Sequence, residues 1–202
     1  MQIKASISLS SCITSIVLIP DSRDKTMEGV FSFYAATSQC NIYLVTFNPY
    51  TKKFECEMFQ TCHYDRINDI AFPKGYSQVF ATCSKDDIRI WQTGTCRELL
   101  RLTVPNLECN CVTFMADGAS IISGWSDGKI RALGPQSCKL LYVIHDAHAQ
   151  GVTAIMGTSD CKRIISGGKE GQVRVWRIGP QSQTMVASMK EHKGAINSIQ
   201  VR

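Results

Sequence analysis

A short motif returns along this 202-residue chain at a nearly constant interval, and that interval constrains the fold more than any other feature. An acidic turn leads into an apolar-Arg-apolar run three times: CSKDDIRIW at 83–91, GWSDGKIRAL at 124–133 and GGKEGQVRVW at 167–176. Arg89, Arg131 and Arg174 align the three copies at steps of 42 and 43 residues. A second marker recurs independently at steps of 42, 43 and 44: the apolar pairs Ile67/Ile70, Cys109/Val112, Val152/Ile155 and Ile196/Ile199. A weaker copy, ATSQCNIYLV at 36–45, sets Ile42 46 residues before Ile88.

Inside each period the pattern predicts four short strands. They fall at 67–72, 77–82, 87–91 and 97–102; then at 110–114, 119–123, 129–133 and 139–144; then at 152–156, 162–166, 172–177 and 184–189. No window long enough for a helix sustains a 3.6-residue apolar period. In the last copy Val173 and Val175 face one way and Arg174 and Trp176 the other, as side chains alternate along a strand. Gly167, Gly168 and Gly171 are expected to supply the positive φ of the preceding turn. One hairpin cannot bury its own apolar face, so the units must stack on one another.

Four-stranded units of about 40 to 45 residues are the signature of a β-propeller. These units resemble WD repeats, in IRIW at 88–91, in VRVW at 173–176, and in His63, His148 and His192 ahead of the first strands. The expected fold is all-β: an incomplete propeller of about four four-stranded blades with unpaired terminal strands. Its blades are expected at about 10–60, 63–104, 105–146 and 148–190, with the first strand of a further blade at 195–202.

One unit holds His63, Thr82, Asp86 and Trp91, and another holds His148, Ser166, Glu170 and Trp176. A hydroxyl, an imidazole and a carboxylate are also the parts of a hydrolytic triad. An enzyme needs one assembled site, whereas these groups recur once per unit. The resemblance gives them a structural task instead, a hydrogen-bonded network tying the outer part of each blade to its inner strands, and implies no catalytic residue. The unit between them carries Pro105, Ser123, Asp127 and Leu133 at these places, so its network is expected to be absent. Trp125 is read either as an exposed contact for a partner or as an edge-packing residue.

Composition narrows the function. No twenty-residue apolar run suggests a membrane span, and the start, MQIKASISLSSCITSIVLIP, makes a poor secretory signal, so a cytoplasmic location is expected. Ten cysteines are scattered without a CxxC pair, which favours reduced thiols over zinc or disulfides. A net charge of +5 spread through turns is mild for a nucleic-acid binder, yet compatible with an acidic polymer such as a microtubule wall. GGKEG has no helix after it and does not follow the GxxxxGK[ST] phosphate-loop pattern, so no cofactor is expected.

Residues 3–9, IKASISL, read as an outermost strand, 195–201, AINSIQV, as an innermost one, and DSRDKTMEG at 21–29 as a loop expansion. The two strands between those ends are missing, so a piece of a longer propeller is expected, aggregation-prone or loosely folded by itself. FATCSKDDIRIW (80–91), ELLRLTVPN (98–106), IISGWSDGKIRA (121–132) and GVTAIMGTSDCKRIISGG (151–168) are together similar to a WD-repeat family of motile cilia and flagella. That similarity implies a non-enzymatic scaffold in the cytoskeleton of the axoneme, inside the doublet microtubule, bound to tubulin and neighbouring inner proteins. A cytosolic WD-repeat adaptor in signalling or ubiquitin ligation is the alternative.

Overall fold

The computed structural model describes residues 6–9, 11–18, 29–180 and 182–200. Residues 3–5, 21–28 and 201–202 of the expected segments lie outside them. Every regular element described is a β-strand, and all strand pairs are antiparallel. The all-β class is therefore as expected. The chain forms two compact units divided between Tyr64 and Asp65.

The first unit is one four-stranded sheet: β1 (Ile13–Leu18), β2 (Phe31–Thr37), β3 (Asn41–Asn48) and β4 (Lys53–Thr61), paired in chain order. In β3 the buried residues are Asn41, Tyr43 and Val45, the period of two that a half-covered sheet demands. Ala35 joins Tyr43 and Val45 in a small core, onto which Ile7, Leu9, Phe33 and Phe54 pack. Asn48 shapes the next turn, its Oδ1 accepting the amides of Tyr50 and Thr51 at 3.0 and 3.2 Å.

The second unit contains three stacked blades. Blade A comprises β5 (Asp69–Ala71), β6 (Val79–Cys83), β7 (Lys85–Gln92) and the first half of β8 (Glu98–Phe114). Blade B takes the second half of β8 with β9 (Ile121–Trp125), β10 (Ile130–Leu133) and β11 (Leu140–Ile144). Blade C is β12 (Val152–Gly157), β13 (Arg163–Gly168), β14 (Val173–Ile178) and β15 (Gln183–Met189). The apolar cores lie in the seams. Ile88, Ile90, Val112, Ile121 and Leu133 fill the seam between A and B; Ile122, Ile130, Val152, Ile164 and Trp176 fill that between B and C.

Four expectations need correction. The described part of the outermost strand expected at 3–9, residues 6–9, is not a strand, although Ile7 and Leu9 pack on the first core. The strands expected at 97–102 and 110–114 are one continuous strand, β8, which bends at Pro105 and Asn106. Its pairing resumes beyond the bend, where Glu108 pairs with Lys85 on one side while Ser126 N–H donates to Glu108 O at 2.8 Å on the other. A bulge between Cys109 and Cys111 then sends those two thiols into opposite seams. Gly167 and Gly168 lie inside β13, and of the three glycines only Gly171 has positive φ, at 82°. They are needed for close approach: a Cβ at Gly167 would strike Ile196, and one at Gly168 would strike His148. Finally, residues 195–200 are not a strand. Only Ile196 anchors that segment, buried against Gly167, its N–H donating to Gly168 O at 3.2 Å.

Candidate functional site

In blade C, Ser166 faces Arg174 across the β13–β14 pair, which brings its hydroxyl within reach of Trp176 two residues further along β14. Trp176 Nε1–H donates to Ser166 Oγ at 2.9 Å. An indole nitrogen can only donate, so the serine proton turns the other way, and Ser166 Oγ–H donates to His148 Nε2 at 2.8 Å. His148 then carries its proton on Nδ1 and donates it to Glu170 Oε1 at 2.6 Å. Burial lowers the His148 pKa, against the pull of Glu170, and keeps the ring neutral. Burial alone would raise Glu170, but the His148 hydrogen bond and backbone amides outweigh it, so the carboxyl titrates below its ordinary range.

Those three groups are connected as in an activated-serine triad, yet they are sealed. Ser166 is 0% and His148 2% exposed, and the Ser166 oxygen already accepts the Trp176 N–H. No substrate carbonyl can reach it, and the geometry serves packing: indole, hydroxyl, imidazole and Glu170 Oε1 satisfy one another in turn, while Glu170 Oε2 is buried without a hydrogen-bond partner among the described residues.

In blade A, Trp91 Nε1–H donates to Thr82 Oγ1 at 2.7 Å, as Trp176 does to Ser166. His63, half-buried, belongs to the first unit. Asp86 departs from its expected place. The turn here is one residue shorter, which puts Asp86 in the left-handed position, φ 67°, that Gly128 and Gly171 hold in the other blades. Its Oδ1 is buried without a hydrogen-bond partner among the described residues. The next residue, Asp87, is the one that forms an ion pair, accepting from Arg89 Nε at 2.7 Å.

Blade B corrects two further expectations. Trp125 is fully buried in the A–B seam, so it is no exposed partner contact. Nor does the blade lack polar links, because Trp125 Nε1–H donates to Ser123 Oγ at 2.9 Å. The repeat explains the exchange. Forty-three residues on, Pro105, Ser123, Trp125 and Leu133 correspond to His148, Ser166, Gly168 and Trp176. In blade C a side chain at 168 would collide with the imidazole. Where proline replaces that histidine, the same position can carry an indole, and its N–H meets the serine that the histidine would have met. Arg131 stacks over the indole at 5.1 Å and holds Asp127 through both guanidinium nitrogens at 3.0 and 2.7 Å.

A set of residues that the sequence reading missed joins each inner strand to the next. Asn68 Nδ2–H donates to Cys109 O at 2.9 Å, Asn110 Nδ2–H to Val152 O at 2.8 Å, and Thr153 Oγ1–H to Ile196 O at 2.7 Å. Asn68, Asn110 and Thr153 are spaced by 42 and 43 residues, each directly after the first member of an apolar marker pair. The period was the signal that could have found them. These inner strands line a cavity of about 380 Å³, into whose lining the three clasp residues enter. All ten cysteines are free thiols, and burial pushes those of Cys109, Cys111 and Cys138 up in pKa.

A family model described as WDR90, 4th beta-propeller, matches residues 66–202. Cilia- and flagella-associated protein 52 of Homo sapiens is 49% identical over 196 residues, covering 97% of this chain and 30% of that protein. Its counterpart in Chlamydomonas reinhardtii is 53% identical over 194 residues, 96% of this chain and again 30% of the relative. WD repeat-containing protein 90 of Xenopus tropicalis is 30% identical over 142 residues, 66% of this chain and 8% of the relative. The chain thus spans about 30% of the length of the first two curated relatives.

Proposed function

The chain belongs to the WD-repeat β-propeller family and closely resembles cilia- and flagella-associated protein 52, and from that premise we propose that it is part of a non-enzymatic scaffold of the axoneme. It sits in the doublet microtubule, against tubulin and neighbouring inner proteins, and supports ciliary and flagellar beating. The observation that carries this reading is the identity of about half the residues, over 97% of the chain, with a protein named for cilia and flagella. Blades A, B and C of the second unit form one stretch of a propeller.

Physical chemistry supports a binding role over a catalytic one. The Ser166–His148–Glu170 arrangement is closed to substrate, and the polar networks of the blades are turned inward. Rigid blades leave loops and edges free to touch several partners, and many weak contacts on one scaffold add to a durable attachment. A net charge of +5 favours an acidic wall such as tubulin, with an attraction that salt weakens.

The test is to express the tagged chain in a ciliated cell and to sediment the purified chain with microtubules at low and moderate salt. Axonemal signal with salt-weakened co-sedimentation is expected. A diffuse cytoplasmic signal with no co-sedimentation at either salt would overturn the axonemal reading in favour of a cytosolic adaptor.

A further inference from the structure

We propose that the cleft between blades A and B is a docking site for an extended peptide of a partner protein, which inserts one bulky apolar side chain and carries opposite charges on its two flanks. The inference goes beyond the axonemal reading and does not depend on it. The cleft has a volume of about 660 Å³ and is walled by Val79, Ile90 and Leu100 from blade A and Phe114 from blade B. That is ample for a phenylalanine or leucine side chain and within the range of formed ligand sites.

The repeat shows which residues set this seam apart from the next. Leu100, Gly118 and Pro135, which line it, correspond to Tyr142, Cys161 and Ile178 at steps of 42, 43 and 43. In the B–C seam those three larger side chains pack onto the core. Burial there, with the nearby Asp117 charge, pushes the Tyr142 phenol up to about 12. The A–B seam carries a smaller residue at two of the three places and a rigid ring at the third, and the Val79 and Leu100 walls stay partly exposed above buried Ile90 and Phe114. Leu99 and Tyr76, 48% and 50% exposed, extend the apolar surface to the mouth.

Charge selects the occupant. Lys74 stands on the blade A bank and Asp117 on the blade B bank, both exposed and neither in an ion pair among the described residues. A chain crossing the cleft with an acidic residue toward Lys74 and a basic one toward Asp117 meets complementary charge on both sides. A neutral small molecule leaves both unused. Such rim charges set direction and specificity, while the buried apolar anchor supplies the affinity.

The test is an NMR titration of the 202-residue chain with blocked pentapeptides. They carry phenylalanine at the centre, serine beside it, and glutamate and lysine at the two ends, in both orders. One order is expected to shift amides lining the cleft, and replacing its phenylalanine by serine to weaken binding by about tenfold or more. A neutral-ended version should bind about two- to fivefold more weakly. Leu100→Tyr, which imports the residue of the closed seam, should abolish the shifts. Lys74→Glu, at an exposed site remote from the core, should move the preference to a peptide with lysine at both ends. No shifts with either order, equal affinity for the serine-centred peptide, or unchanged preference in Lys74→Glu would each overturn the proposal. Binding of a free aromatic amide as tight as that of the peptides would overturn the peptide assignment.

Discussion

Removing the His148 imidazole strands two groups at once, because the Ser166 hydroxyl loses its acceptor and Glu170 its donor. His148→Ala should therefore cost about 1–3 kcal/mol for each group left unsatisfied, measured by denaturant unfolding. The same residue sets a pH dependence. Its folded pKa lies below the ordinary 6.5, so the unfolded chain binds a proton that the folded chain resists. Stability is then full above about 6.5 and declines as pH falls from there toward the folded value. The unfolding temperature should drop between about pH 7.5 and 5.5, and less steeply in His148→Gln; equal slopes would refute the assignment. Trp125→Gly should cost about 3–5 kcal/mol, as for other large core truncations, and adding Pro105→His should restore part of the loss. The serine, histidine, carboxylate and tryptophan of blade C were legible because their spacing matched a known repeat. The substitute in blade B was not, since its indole comes from a position that holds glycine in the matching unit, and a linear pattern cannot tell which of two distant residues fills one space.

At the level of elements, alternation and turn residues placed most strands of the second unit within about two residues, while those of the first unit were not individually placed. The exceptions were residues 6–9 and 195–200, which form no strand, and β8, where the pairing of Glu108 with Lys85 and the hydrogen bond from Ser126 carry the strand past its bend at Pro105 and Asn106. Such long-range pairings leave no local mark. The glycines of β13 were misread for a related reason: their purpose is set by Ile196 and His148, far away in sequence. The side-chain clasps between inner strands give this scale its own prediction. Asn110→Ala frees the Val152 carbonyl and should cost about 1 kcal/mol, whereas Asn110→Asp, which places a carboxylate against that carbonyl, should cost more. Gly128→Ala combines a positive φ of 76° with a collision against the His148 carbonyl. It should be among the most damaging single-methyl additions, read as loss of soluble folded protein.

Across the molecule, protection is uneven within each unit. Strands β1 and β15 present mostly exposed side chains, with Leu18 at 63% and Met185 at 52%, whereas β9 is buried along its whole length. Hydrogen exchange should be slowest in the second half of β8 and in β9, and fastest in β1 and β15. Uniform exchange would contradict the seams as the seat of stability. The exchange of His148 for Trp125 carries a consequence for assembly. Near-identical repeats invite a strand to dock one blade out of register, where its backbone pairing would be just as good. Here a one-blade slip would press His148 against Trp125 in one blade and leave Ser166 and Glu170 without partners in the other. Pro105 with Trp125 and His148 with Gly168 therefore act as differently cut keys, and the order of the blades is written into which key fits which lock.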